Sequence, residues 1–136
     1  MTAVCPLCET RDAPSLWRDA RLRVISAVEP DYPAFVRVVW HAHIREMTDL
    51  SPGEREHCMR VVWAVEQVLR DTLKPDKINI ASLGNQVPHL HWHVLPRFAD
   101  DAHFPDPVWA TRRRAGVSHP FDTGQFAEQL TCMLGV

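Results

Sequence analysis

One long amphipathic segment most constrains the fold of this chain. Ser51 suits the N-cap of a helix, Pro52 suits the first helical position, and Glu54 completes a capping box. Pro75 ends the helix because proline lacks a backbone N–H. Apolar residues recur between these limits at helical spacing, and they comprise Cys58, Met59, Val61, Val62, Val65 and Leu69. The sequence therefore predicts one long helix with a single buried stripe.

Segments rich in β-branched and aromatic residues lie on both sides of this helix. Residues 21–28 and 35–40 precede it, and residues 77–82 and 89–95 follow it. Strands before and after one long helix indicate an α+β fold built on an antiparallel sheet. A short terminal helix is expected over 123–133, with one apolar face formed by Phe126, Leu130 and Met133.

The length and charge of the chain limit its class. A chain of 136 residues suits a single domain, 1–136, in which 1–10 is a candidate zinc knuckle and 98–136 is a C-terminal extension. The net charge of −2 argues against a general nucleic-acid or membrane-surface binder. There is no secretory signal pattern, and no apolar stretch approaches the ~18 residues that span a bilayer. We therefore expect a soluble, cytoplasmic protein.

Three histidines alternate with apolar residues in the fourth predicted strand. His89, His91 and His93 should share one face of the strand, and Leu90 and Trp92 should pack on the core from the other. The outer histidines are then about 13 Å apart. Because zinc–nitrogen bonds are about 2.0–2.1 Å long, one metal ion can take two neighbours but not easily all three. A solvated histidine-rich strand is the simplest alternative.

A row of imidazoles also suits phosphoryl chemistry. A neutral imidazole can attack phosphorus and form a covalent intermediate, and a neighbour can donate to a phosphate oxygen or to the leaving group. The preceding turn offers Gly84 and the side-chain amides of Asn85 and Gln86 for phosphate oxygens. The spacing alone does not select phosphorus over other electrophiles.

The fourth predicted strand resembles the His-x-His-x-His-x-x signature of the histidine triad (HIT) superfamily of nucleotide hydrolases and transferases. Residues 43–54 are similar to the segment that leads into that family's long helix, and residues 84–97 to its turn and triad strand. Together these similarities cover roughly residues 5 to 97. The resemblance implies a HIT-like fold, with an antiparallel sheet, one long helix and a short C-terminal helix. It also implies a homodimer that associates through the long helix and a neighbouring strand.

The resemblance assigns roles to individual residues. His91 would be the nucleophile that takes the nucleotidyl group, His89 would orient it through its backbone carbonyl, and His93 would contact the phosphate or the leaving group. Asn85 and Gln86 would lie near the phosphates. The implied enzyme cleaves dinucleoside polyphosphates or nucleoside phosphoramidates at the α-phosphate through a nucleotidyl-histidine intermediate.

Two positions depart from the family pattern. Phe35 stands where the family usually has a histidine that supports the triad. Ala27 stands where the family often has an Asp or Asn that holds ribose hydroxyls, and Glu29 or Asp31 could substitute for it. These departures leave a second hypothesis open, a nucleotide-binding or scaffold protein with little catalysis. A third hypothesis is a metal-centred hydrolase that uses two of the histidines and water.

Cys5 and Cys8 have the spacing of a metal knuckle, but a tetrahedral zinc site needs two further ligands. Triad proteins that resemble this one complete such a site with a histidine after the second strand and with the first triad histidine. Those positions are His43 and His89, with His41 as an alternative to His43. The resemblance therefore implies a structural zinc ion, and a reduced pair without metal is the alternative.

Three residues near the triad strand have competing interpretations. Arg97 can meet a phosphate, or it can form a salt bridge with Asp100 or Asp101. Trp92 and Trp109 are expected in the core or at a dimer interface rather than as platforms for a nucleobase.

Overall fold

The secondary structure follows the predicted α+β order and adds one short strand. The computed structural model describes residues 4–135, so residues 1–3 and 136 of the predicted domain and knuckle lie outside the described residues. The elements are α1 (Pro6–Glu9), β1 (Trp17–Arg18), β2 (Leu22–Ser26), β3 (Val36–Trp40), α2 (Pro52–Leu73), β4 (Lys77–Ala81), β5 (His91–Arg97) and α3 (Thr123–Leu134). A 3-10 turn, Met47–Asp49, precedes α2.

The strands form one antiparallel sheet in the order β1-β2-β3-β5-β4. β5 lies between β3 and β4, and its residues His91 and His93 are opposite Val39 and Arg37 of β3. Opposed residues in an antiparallel pair share a face of the sheet. These four side chains therefore lie on the face opposite α2. The α+β class with an antiparallel sheet, one long helix and a short C-terminal helix is confirmed.

The long helix forms as its sequence predicts. Ser51 accepts a hydrogen bond from the backbone N–H of Glu54 at 3.2 Å, and the Glu54 carboxylate accepts from the Ser51 N–H at 2.8 Å. The helix ends at Lys74, whose φ of 49° is left-handed, directly before Pro75. The residues of α2 buried in the main core are Cys58, Val61, Val62, Ala64, Val65, Val68 and Leu69. Met59 is only partly buried.

The triad strand begins two residues later than predicted. The sequence pattern favours 89–95, whereas β5 spans His91–Arg97. Leu90, just before β5, is held by the end of β3 and by the segment that follows it. Its N–H donates to the Ile44 carbonyl, and its carbonyl accepts from the Trp40 N–H. His89 therefore lies outside the strand that carries His91 and His93, and the expectation that all three histidines belong to one strand is corrected.

The C-terminal helix covers the end of the core. α3 packs on α2 and β1, where Phe126 and Leu130 are buried, while Met133 is 47% exposed. Between β5 and α3, residues 98–121 contain turns but no regular helix or strand. Among the described residues, no helix combines the length and the apolar character needed to cross a membrane.

Candidate active site and metal centre

A cleft of about 310 Å³ lies on the sheet face that carries the triad strand. Its lining residues are Pro6, Leu7, Arg37, Leu83, Gly84, Asn85, Gln86, Val87, His91, His93 and Trp109. Four predicted site residues thus meet in one place, namely His91, His93, Asn85 and Gln86. Gly84 permits the turn that carries the two amides, because its φ of 68° is left-handed.

The ring of His91 has a defined orientation. Its Nδ1 lies 2.6 Å from the backbone carbonyl oxygen of His89, which can only accept a hydrogen bond. The ring proton therefore resides on Nδ1, and the lone pair of Nε2 is available for attack. The backbone of His91 is held as well, because the Ser82 hydroxyl donates to its carbonyl at 2.7 Å.

The cleft favours neutral imidazoles. Burial lowers the pKa of His91, the hydrogen bond to His89 opposes this shift, and the positive charge of Arg37 adds to it. Burial, His91 and Arg37 together lower the pKa of His93 to about 4. A neutral ring is the form in which a histidine can act as a nucleophile.

His93 is surrounded by aromatic edges. Its ring centroid lies 5.6 Å from that of Phe35, 4.9 Å from that of His91 and 5.3 Å from that of Trp109. Its Nδ1 is buried and has no hydrogen-bond partner among the described residues. Phe35 therefore supports His93 by packing alone, since a phenyl ring offers no hydrogen bond that would orient the imidazole.

Trp109 differs from its expected position. It is 54% exposed and lines the cleft beside His93, whereas the sequence suggests a core or interface residue. Trp92 does pack against the main core and is partly buried. The difference arises because the irregular chain after β5 returns across the sheet, a path that local sequence patterns do not specify.

The candidate ribose-binding residues are not assembled into the cleft. Ala27 is partly buried against the small cluster of Tyr32, Phe35 and Leu95. Asp31 forms an ion pair with Arg112. The structure thus places none of Ala27, Glu29 and Asp31 among the residues that line the cleft.

Two cysteines and two histidines converge at the N-terminal edge of the sheet. The ligand atoms of Cys5, Cys8, His43 and His89 all lie within 4.8 Å of one another. The Sγ atom of Cys5 is 3.4 Å from Nδ1 of His89, and Sγ of Cys8 is 3.4 Å from Nδ1 of His43 and 3.5 Å from that of His89. The two histidine nitrogens are 3.2 Å apart.

These separations fit a tetrahedral metal ion. Zinc bonds of about 2.3 Å to sulfur and 2.0–2.1 Å to nitrogen place neighbouring ligand atoms about 3.3–3.8 Å apart in a tetrahedron. His89 presents the required lone pair, because its Nε2 donates to the Trp40 carbonyl at 2.6 Å and its Nδ1 faces the thiols. His41 contacts the Asp19 carbonyl and Arg23 instead. The cluster can therefore bind a metal ion.

His89 connects this cluster to the cleft. Its ring is fully buried among the candidate metal ligands, while its backbone carbonyl accepts from the ring of His91. A metal ion on Nδ1 of His89 would thus fix the group that orients His91. His89 thus supports His91 in the way that a residue behind a metal ligand or a reactive side chain orients it through a hydrogen bond.

The alternatives for Arg97 are resolved by a buried ion pair. Arg97 donates to the carboxylate of Asp101 at 2.8 and 3.0 Å, and both side chains are 2% exposed. Asp100 instead accepts from His119 at the surface. Asp101 also accepts from the backbone N–H groups of Phe98, His103 and Phe104, so it organises the start of the segment that leads to Trp109.

Among the cleft residues that sequence reasoning missed, Arg37 and Trp109 lie beside His93. A signal for Arg37 was present, because it is the sole charged residue in the apolar strand 35–40. A charged residue buried in such a strand needs a partner or a function. No comparable local signal marked Trp109.

The fold and the cleft define an α+β protein in which two adjacent, neutral imidazoles line a cleft of about 310 Å³. The sequence profile of the HIT domain matches residues 10–100, which is most of the chain. The protein belongs to the HIT family.

Two curated relatives are similar over part of their length. The AP-4-A phosphorylase of Mycobacterium tuberculosis is 29% identical over 94 residues, which covers 62% of this chain and 48% of that protein. The bis(5'-adenosyl)-triphosphatase of Saccharomyces cerevisiae is 27% identical over 77 residues, covering 52% of this chain and 37% of that protein. The chain spans less than half the length of each.

Solved structures show the same fold. A histidine triad protein from Marinobacter aquaeolei VT8 has a TM-score of 0.71 and 26% identity, with 98% of both chains covered. A Zn-bound histidine triad family protein from Mycobacterium smegmatis has a TM-score of 0.62 and 23% identity, covering 96% of this chain and 93% of that one.

Proposed function

We propose that this protein cleaves dinucleoside polyphosphates or nucleoside phosphoramidates at the α-phosphate and forms a nucleotidyl-histidine on His91. The observation that carries this proposal is the hydrogen bond of 2.6 Å from Nδ1 of His91 to the His89 carbonyl. It directs the lone pair of Nε2 to the side of the ring that is free to react. Family membership and the names of the two curated relatives support nucleotide chemistry of this kind.

The first chemical step follows from this orientation. Nε2 of His91 attacks the α-phosphorus, a P–N bond forms, and the bond from phosphorus to the leaving group breaks with its electron pair on the leaving atom. Asn85 and Gln86 lie in the same cleft, where their amide groups can donate to phosphate oxygens. Water then attacks the α-phosphorus, which releases the nucleotide and restores His91.

His93 is assigned to the phosphate side of the reaction. Its ring lies 4.9 Å from that of His91 and lines the same cleft. With its pKa lowered to about 4, it is neutral at pH 7 and can contact a phosphate oxygen through a ring N–H. Its role is therefore to position the phosphate rather than to supply a second nucleophile.

We propose zinc as the metal of the Cys5, Cys8, His43 and His89 cluster. Two thiolates and two imidazoles form a typical structural zinc set. When bound, zinc would cross-link the N-terminal segment to the sheet without taking part in the chemistry. The ring of His89 would then be held from two sides, by the metal on Nδ1 and by the Trp40 carbonyl on Nε2, and its backbone carbonyl would be fixed with it.

The decisive experiment compares His91→Ala with the native protein on diadenosine polyphosphates and adenosine phosphoramidates. We expect the variant to lose turnover by at least a thousandfold while circular dichroism and thermal unfolding remain unchanged. Mass spectrometry of rapidly quenched native protein should reveal a nucleotidyl adduct on a peptide that contains residue 91. Native-like turnover by His91→Ala would refute the assigned role.

A second candidate function is nucleotide binding with little catalysis. The observation in its favour is that Nδ1 of His93 has no hydrogen-bond partner among the described residues, beside the phenyl ring of Phe35. An unoriented His93 would position the phosphate less well. Micromolar nucleotide binding without a quenched adduct or turnover on either substrate class would favour this function.

We also propose a cytoplasmic homodimer. The HIT resemblance supports association through α2 and a neighbouring strand, and Trp63 on α2 is 58% exposed. Analytical ultracentrifugation tests the assembly: a Trp63→Glu variant should shift toward monomer if α2 contributes to the interface. A native protein that sediments as a monomer at all concentrations tested would refute the dimer.

A further inference from the structure

Arg37 lies in the cleft, where it has no polar partner among the described residues. It is opposite His93 in the β3–β5 pairing, and its side chain lines the same cleft as His91 and His93. Its Nε is buried without a hydrogen bond, and its guanidinium forms no hydrogen bond or ion pair with any residue that the structure describes. Arg37 as a whole is half-buried, and removing an unpaired charge from water even in part is costly. The arginine is therefore arranged to meet an anion from outside the protein.

The formal charge of the cleft is positive. Among the described residues that line the cleft, Arg37 is the sole one with a formal charge at neutral pH, and none is acidic. The charge of Glu29 acts on Arg37 from a distance, but the two side chains form no ion pair. Arg37 in turn disfavours a positive charge on His93, which lies opposite it in the β3–β5 pairing. The cleft therefore favours anionic groups and disfavours cationic ones.

We propose that Arg37 binds the departing phosphate chain of the substrate, so that the cleft prefers leaving groups that depart as phosphate anions over leaving groups that depart as amines. This inference rests on the proposed function and selects between its two substrate classes. A guanidinium group suits this task because its planar N–H groups can contact two phosphate oxygens at once.

The bond changes explain why a cation at this position matters. When Nε2 of His91 bonds to the α-phosphorus of a dinucleoside polyphosphate, the bridging P–O bond breaks and its electron pair remains on the departing oxygen. No proton is needed, because a phosphate chain is stable as an anion. Hydrogen bonds from Arg37 to this chain strengthen as its charge grows in the transition state.

A phosphoramidate makes a different demand. The electron pair of the broken P–N bond remains on nitrogen, so an amine leaves readily only after that nitrogen gains a proton. Arginine does not serve as an acid at neutral pH. His93 is unprotonated there, since its pKa is lowered to about 4. The protonated leaving nitrogen would thus carry a positive charge next to Arg37, and neither Arg37 nor His93 could donate the proton that it needs.

The test compares two substrates in matched variants. The kcat/KM values for diadenosine tetraphosphate and adenosine 5'-phosphoramidate are measured for the native protein, Arg37→Gln and Arg37→Lys. Arg70→Gln is the control, because it removes the same charge from an exposed position on α2. We expect the native protein to favour the tetraphosphate. Arg37→Gln should lower the ratio of the two kcat/KM values by about 10- to 100-fold, the scale of a lost charge-assisted hydrogen bond.

The lysine variant separates charge from geometry. Arg37→Lys keeps the positive charge but loses the planar donor pair, so its ratio should lie between those of the native protein and Arg37→Gln. Arg70→Gln should leave the ratio unchanged within about twofold. An equal loss on both substrates in Arg37→Gln, or a native preference for the phosphoramidate, would overturn the inference while the proposed function stands.

A binding measurement keeps the inference testable if neither substrate is turned over. AMP and ADP are titrated by calorimetry into His91→Ala and into the double variant that adds Arg37→Gln. The extra phosphate of ADP occupies the position of the leaving chain, so the second substitution should weaken ADP binding about 10-fold more than AMP binding. Equal weakening of both, or no binding of either, would overturn it. If the native protein turns over neither substrate but Arg37→Gln weakens ADP binding selectively, the proposed catalysis is refuted and the role of Arg37 in binding phosphate stands.

Discussion

Replacing Asp101 by Asn should destabilise the protein strongly at neutral pH. The carboxylate accepts two hydrogen bonds from Arg97, one from the Tyr32 hydroxyl and three from backbone N–H groups. Both members of the ion pair are 2% exposed. Breaking a buried pair by removing one partner costs about 3–5 kcal/mol, because the remaining charge stays buried without compensation. For a chain of this length, that cost corresponds to a Tm lower by about 10–17 °C.

The loss of unfolding free energy caused by Asp101→Asn should become smaller at low pH. Burial favours the protonated form of Asp101, but the hydrogen bonds from Arg97 and from the backbone outweigh it and lower the pKa of this carboxyl. The contribution to stability is therefore present above the pKa of an unfolded aspartate, about 3.9, and is lost as the pH falls through the folded pKa. The difference between the native protein and Asp101→Asn should accordingly narrow below about pH 4.

The assay is chemical unfolding followed by tryptophan fluorescence between pH 3 and pH 7. Asp100→Asn is the matched control, because Asp100 is 52% exposed and pairs with His119 at the surface. Its expected cost is below about 1 kcal/mol. Equal effects of the two substitutions, or a cost for Asp101→Asn that does not change down to pH 3, would refute the reasoning.

Three further predictions concern the metal cluster, His93 and Gly116. A Cys5→Ser/Cys8→Ser variant should lose the bound zinc measured by plasma emission spectroscopy and unfold at a lower temperature than the native protein. Native protein stripped with a chelator should show the same drop and recover on zinc addition, and an unchanged Tm in both would contradict a structural metal. NMR titration of the ring carbons should give His93 a midpoint near pH 4. Because an unfolded histidine has a pKa of about 6.5, His93 should reduce the stability of the fold increasingly as the pH falls from about 6.5 toward 4. A midpoint at or above 6.5 would contradict its burial. Gly116→Ala should cost about 1–3 kcal/mol in urea unfolding, because φ is 79° and the new Cβ would lie 2.7 Å from the Ala102 nitrogen. Gly53→Ala is the control and should not destabilise, because its new Cβ would meet no described atom within 4 Å beyond the adjacent residues and the backbone of its own helix.

Much of the fold could be predicted because its main elements carry local signals. The capping box at Ser51 and the stop before Pro75 delimit α2 to within a residue. The β-branched stretches mark β2, β3 and β4 closely. The two-residue strand β1 escaped prediction, since Trp17–Arg18 is too short for a period to be visible.

The site was predictable where residues lie close together in the sequence. His91 and His93 share a strand, and the turn with Asn85 and Gln86 directly precedes it, so local geometry brings these side chains together. The position of His89 was misjudged because strand alternation was extended two residues too far. The pairing of Leu90 with Ile44 ends the alternation there, and that contact joins distant parts of the chain.

The sequence by itself determined the α+β class, the long helix and the alternating imidazoles, because each depends on periodicity among neighbouring residues. Only the tertiary structure decided which groups meet across the chain. The β3–β5 register sets Arg37 opposite His93, the irregular chain after β5 returns Trp109 to the cleft, and the N-terminal turn brings Cys5 to His89. Such contacts depend on strand register and on the path of loops, which local propensities do not specify.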